Sequence, residues 1–156
     1  MSGLFIILLA CFKQYINYIM QILIINGPNL NKIGIREPEI YGNRDFNNYL
    51  DELSSLFNSH NLMSFQSNSE NEIVDRILDY SENVEGIVLN AGAFTHTSVA
   101  IRDAIASVNL PVVLVHISNV YAREQFRKNN ILAPVCKGVI TGFGLDSYKL
   151  AIYSLI

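Results

Sequence analysis

The sequence predicts an α/β domain, one five-stranded parallel sheet with helices on both faces, and three observations carry the prediction. Four short, almost wholly apolar runs and one mixed run recur along the chain, as strands covered by helices require. Segments with apolar residues at helical spacing lie between them, and parallel strands need such crossovers. Polar and charged residues cluster just after the first, third and fourth runs, where ligands bind beyond the carboxyl ends of open α/β sheets. With 156 residues, half of them apolar, the chain is long enough for one domain with a substantial core.

The first strand is Gln21-Ile22-Leu23-Ile24-Ile25. Asn26-Gly27-Pro28-Asn29 then breaks it with turn chemistry: glycine relieves φ restrictions, proline fixes its own φ, and asparagine bonds nearby backbone. The polar loop over 32–42 holds a cation, Arg36, and a phenol, Tyr41, beside two glycines and a proline, and has the length of a lid or binding loop. Residues 44–60 predict a helix with Phe46, Leu50, Leu53 and Phe57 on its inner face. Residues 61–67 alternate as a half-covered edge strand does. Ser69 and Glu72 have the spacing of a capping box, and the helix behind them buries Ile73, Ile77 and Leu78.

Gly86-Ile87-Val88-Leu89 is the third strand, with Asn90 at its carboxyl end. After the small-residue turn Ala91-Gly92-Ala93-Phe94, residues 95–98 offer hydroxyl caps to a helix with Ala100, Ala104, Ile105 and Val108 inward. Residues 111–116 form the fourth strand, ending in His116, and 139–141 the fifth. A last helix sets Tyr148, Ala151, Ile152 and Leu155 on one face. Flavodoxin-like strand order is the arrangement these elements favour, and it gathers Asn29, Arg36, Tyr41, Asn90, His96, His116 and Ser118 at one edge of the sheet.

Composition narrows the ligand. The net charge is −3 and no run of Lys or Arg occurs, so neither a nucleic acid nor an anionic membrane is favoured over a small molecule or a protein. Cys11 and Cys136 lack metal-site or redox-motif spacing, which fits a reducing cytoplasm. His60, His96 and His116 have no short ligand spacing for a metal, and neither a dinucleotide fingerprint nor a phosphate loop is present. Residues 4–11 are hydrophobic, but no Lys or Arg precedes them as a secretion signal requires, and the run is far shorter than the roughly 18 to 20 residues that span a bilayer. Residues 1–19 therefore read as an N-terminal extension, an over-long start with Met20 the functional one, and 20–156 as a single catalytic domain. The alternative is an added helix that packs on the domain or on a neighbouring subunit.

Several separated motifs, in order from residue 21 to the C-terminus, resemble those of the type II 3-dehydroquinate dehydratases. They are Asn26-Gly27-Pro28-Asn29-Leu30-Asn31, Arg36-Glu37-Pro38 with Tyr41-Gly42, Asn90 with Thr95-His96-Thr97-Ser98, and His116-Ile117-Ser118-Asn119 with Arg123-Glu124 and Phe126-Arg127. The resemblance implies dehydration of 3-dehydroquinate to 3-dehydroshikimate through an enolate, in the shikimate pathway, with no cofactor, metal or Schiff base. It implies Tyr41 as the base that takes the C2 proton, with Arg36 favouring the phenolate, since an unperturbed phenol titrates at about 10. Asn29 would help hold the enolate oxygen, and His116 would protonate the departing C1 hydroxyl. Asn90 and the backbone amides of Ile117 and Ser118 would face the substrate carboxylate and nearby hydroxyls, with His96 and Arg127 on the ring hydroxyls. Asp103 would reach the active site of an adjacent subunit, implying a homo-oligomer, a dodecamer built from trimers.

One position departs from the resemblance. Leu114 stands where the family usually has Glu, two residues before His116 on the same strand face, so His116 loses a carboxylate neighbour and should titrate lower than a carboxylate-paired histidine. That departure is the main support for the alternative reading, a catalytically impaired flavodoxin-like domain that binds a small molecule or regulates.

Overall fold

Strands β1 (Gln21–Asn26), β2 (Asn61–Gln66), β3 (Gly86–Asn90), β4 (Val112–His116) and β5 (Gly138–Thr141) pair in parallel in the order β2-β1-β3-β4-β5, the flavodoxin-like order the sequence predicts. The computed structural model describes residues 18–33 and 45–156. The expectations for 1–17 and 34–44, with Cys11, Arg36 and Tyr41 among them, lie outside the described residues.

Side-chain alternation explains why the central strands are apolar at nearly every position. Along β1, Ile22 and Ile24 turn to one face and Leu23 and Ile25 to the other, and all four are buried. Helices α1 (Phe46–Leu56) and α4 (Asp146–Leu155) cover the first face, through Tyr49, Leu53, Ala151 and Ile152. Helices α2 (Glu70–Tyr80) and α3 (Val99–Ser107) cover the second, through Ile73, Ile77, Ile101 and Ile105. The mixed strand β2 lies at the edge, as its composition requires.

Helix starts follow the capping chemistry. Asp45 accepts from the amides of Asn47 and Asn48, and Ser98 from that of Ile101. The expected capping box is rearranged: Ser69 accepts from the Glu72 amide at 3.5 Å, but the Glu72 carboxylate turns to the Ser67 hydroxyl, which itself accepts from the Ser69 amide.

Three expectations are corrected. Leu78 is 44% exposed, because it lies a further 100° round the helix from Ile77, and the inner stripe is Ile73, Val74 and Ile77. Ala100 is likewise exposed, and the inner face of α3 is Ile101, Ala104, Ile105 and then Val108, a regular i, i+3, i+4, i+7 stripe. The crossover from β4 to β5 is no α-helix but three short 3₁₀ turns, Val120–Ala122, Gln125–Lys128 and Ala133–Val135. That irregular crossover supplies one wall of the cleft described next.

Candidate active site

Three adjacent strands end in polar side chains: Asn26 on β1, Asn90 on β3 and His116 on β4. Asn26 and Asn90 are register partners, so they leave the sheet side by side, at the point where the chain reverses its direction across the sheet. The turns that follow interlock. The Gly27 amide donates to the Asn90 carbonyl at 2.7 Å, and a Cβ on Gly27 would sit 2.7 Å from the Ala91 oxygen, so only glycine allows this approach. Gly92 has a φ of +56° and faces the Pro28 carbonyl. Asn29 follows in the left-handed region, with a φ of 68°, its amide held by the Asn68 side chain at 2.9 Å.

A cleft enclosing roughly 750 Å³, partly open solvent, lies over these strand ends. Asn29, Asn90, His96, His116, Ile117, Ser118 and Arg127 all line it, so seven of the residues singled out from the sequence meet in one place. Lys32 and Arg123 line it too, and among the described residues no carboxylate does. The protein as a whole is acidic, so this wall is a local concentration of positive charge suited to an anionic ligand.

His116 is 7% exposed, and its Nε2 is buried with no hydrogen-bond partner among the described residues. Burial holds its pKa down to about 4, and repulsion from His96 and Arg127 adds to the effect. Its ring stacks on that of His96, centroids 6.2 Å apart and planes 9° from parallel. His96 Nδ1 lies 2.8 Å from the Asn129 carbonyl, which can only accept, so that nitrogen carries the proton.

The 3₁₀ wall is braced by ion pairs. Arg127 Nε donates to Glu124 at 2.7 Å, and Arg123 lies 3.4 Å from the same carboxylate. The hydrogen bond from Arg127 is the largest cause holding the Glu124 carboxyl down to about 2, followed by a hydrogen bond from its own backbone, with the charges of Arg127 and Arg123 adding to them. Arg123 also donates to the Ser118 hydroxyl at 3.4 Å, while Thr141 donates to the Ser118 carbonyl. The Asn90 side chain is spoken for on both sides, by the Tyr148 hydroxyl at 2.8 Å and the Gly92 amide at 3.3 Å.

Asp103 does not line the cleft of its own chain. It sits on α3, 64% exposed, paired with Arg102 at 3.0 Å. Leu114 is fully buried in the apolar cluster beneath α2 and α3, so position 114 is not open to water. The low pKa of His116 agrees in direction with the expectation drawn from Leu114, but its leading cause is burial.

Sequence reading gave no role to Tyr148, Arg123 or Glu124. Arg123 and Glu124 stood inside a quoted motif, and the Glu124 to Arg127 spacing is the signal for a local ion pair. Tyr148 reads as one more member of an apolar stripe, and nothing local distinguishes its hydroxyl.

Comparison with known proteins gives a consistent answer. The profile of the family described as Dehydroquinase class II matches residues 20–156. A 3-dehydroquinate dehydratase of Prochlorococcus marinus is 54% identical over 139 residues, 88% of this chain and 95% of that protein. One of Caldicellulosiruptor saccharolyticus is 55% identical over 140 residues, 86% of this chain and 95% of its own. The crystal structure of type II dehydroquinase from Butyrivibrio crossotus superimposes with a TM-score of 0.84 at 48% identity, covering 88% of this chain and 97% of that one.

Proposed function

The chain belongs to the class II dehydroquinase family, and from that membership we propose that it is a hydro-lyase converting 3-dehydroquinate to 3-dehydroshikimate in aromatic amino acid biosynthesis. The observation that carries the reading is the cationic cleft over the ends of β1, β3 and β4, with a neutral imidazole in its wall whose Nε2 has no hydrogen-bond partner among the described residues. A hydroxylated carboxylate suits it, with the anion toward Asn90 and the backbone amides of Ile117 and Ser118, the ring hydroxyls toward His96 and Arg127, and Arg123 adding positive charge nearby.

In this mechanism Tyr41, as phenolate favoured by Arg36, takes the C2 proton, and the C–H electrons pass to the ketone oxygen. The Asn29 amide helps hold that enolate. When the carbonyl re-forms, the C1–oxygen bond breaks and the hydroxyl leaves as water with a proton from His116.

An imidazole titrating near 4 is neutral at pH 7, yet the leaving group needs a proton. The proton count resolves this. A neutral His116 with a neutral Tyr41 holds as many protons as an imidazolium with a phenolate, so one transfer between them sets up the reactive pair without exchange with solvent. The arriving carboxylate offsets the repulsion from His96 and Arg127 that adds to burial in keeping His116 neutral, and so favours that transfer.

The catalytic domain spans 20–156 in this reading, with 1–19 outside it. The enzyme is cytoplasmic and a dodecamer built from trimers, with Asp103, exposed on α3, reaching a neighbouring cleft. No described helix is long and apolar enough to cross a membrane. Turnover of 3-dehydroquinate, followed by the ultraviolet absorbance of the conjugated enone product, tests the proposal, and purified protein that forms no enone contradicts it.

A further inference from the structure

We propose that Tyr148, at the start of α4, is a positioning residue for this cleft: its hydroxyl holds the Asn90 carboxamide in place toward the substrate, in the orientation that the Gly92 amide sets. The proposal rests on the functional reading above. Tyr148 is fully buried, and its hydroxyl lies 2.7 Å from Asn26 Oδ1 and 2.8 Å from Asn90 Nδ2.

Only one set of hydrogen positions satisfies this network. The Gly92 amide can only donate, so the Asn90 atom 3.3 Å from it is Oδ1. Nδ2 then faces Tyr148, whose oxygen accepts, and the single phenolic proton goes to Asn26. Turning the Asn90 amide over would set its amino group against the Gly92 N–H. Burial raises the pKa of Tyr148 above that of an ordinary phenol, so the donor keeps its proton.

The anchor itself is braced. Ser147, the preceding residue, donates to the His116 carbonyl at 3.1 Å, so the first turn of α4 ties together the carboxyl ends of β1, β3 and β4. With one Nδ2 hydrogen committed to Tyr148, the second remains for the cleft that Asn90 lines. It suits an acceptor oxygen, the carboxylate or a hydroxyl of the substrate.

Steady-state kinetics of Tyr148→Phe, alone and with Asn90→Ala, tests this. The single variant should raise KM roughly tenfold with kcat within about threefold, the loss of one well-placed hydrogen bond. In the Asn90→Ala background the same change should raise KM no further, because the group it positions is gone. An unchanged KM, or equal effects in both backgrounds, overturns the proposal. Should Tyr148→Phe fail to fold, Asn26→Ala keeps the phenol but frees its proton to turn toward Asn90. The same rise in KM is then expected, and a parental KM refutes the idea.

A parent with no turnover of 3-dehydroquinate counts against the functional reading alone. Nuclear magnetic resonance of the Asn90 side-chain amide then decides the positioning claim. One exchange-protected side-chain proton in the parent, resolved from its geminal partner, and loss of that protection in Tyr148→Phe, or in Asn26→Ala, support it, and identical signals overturn it.

Discussion

Acidification should destabilise this protein through His116. Burial, with repulsion from His96 and Arg127, takes its imidazole from the ordinary 6.5 to about 4 in the fold, and the unfolded chain regains the ordinary value. Between those two values the unfolded state binds the extra proton, so stability is fully present above about pH 6.5 and is lost as the pH falls through 4. At about 1.36 kcal/mol per pH unit, an interval of about 2.5 units amounts to roughly 3 kcal/mol. Urea unfolding of the parent and of His116→Gln, near pH 7 and near pH 4, isolates this contribution, since other titrating groups are common to both proteins. The parent should lose about 3 kcal/mol more than the variant on acidification. Equal losses would refute the account of His116 as an imidazole held neutral by burial.

Two further substitutions probe the strand end and the loop. Leu114→Glu would place a carboxyl in a fully buried apolar cluster and should destabilise the fold by roughly 3 kcal/mol or more, read from its denaturation midpoint. A parental midpoint would mean that position 114 finds water or a cation. Tyr41→Phe and Arg36→Ala should each lower kcat by at least about a hundredfold while leaving thermal unfolding unchanged, because both act on the proton-abstraction step. Near-parental turnover in either would remove that residue from the mechanism.

The sheet was legible because a central parallel strand, covered on both faces, must be apolar at nearly every position, and β1, β3 and β4 are. Helix existence was legible too, but phase was less so. Leu78 and Ala100 fit a helical stripe by type, and only contact with the sheet shows that the stripe runs through Val74 and Ile101 instead. The 3₁₀ crossover carries no periodicity to read. The cleft was legible as a set of motifs, and its polar residues do converge. Tyr148 was not, because what gives its hydroxyl a role is Asn26, 122 residues away in the chain. The pKa of His116 was hidden for a similar reason: desolvation and the approach of His96 and Arg127 exist only in the fold.

The pH dependence of kcat/KM for 3-dehydroquinate tests the central claim most directly, since it reports the ionisations of the free enzyme. If His116 rests neutral and shares one proton with Tyr41, the profile should stay flat as the pH falls through the ordinary histidine range and drop only as it nears 4. An acid limb centred near 6.5 would show that the resting imidazole is not held neutral as the structure indicates, and the absence of turnover at every pH would contradict the proposed reaction itself.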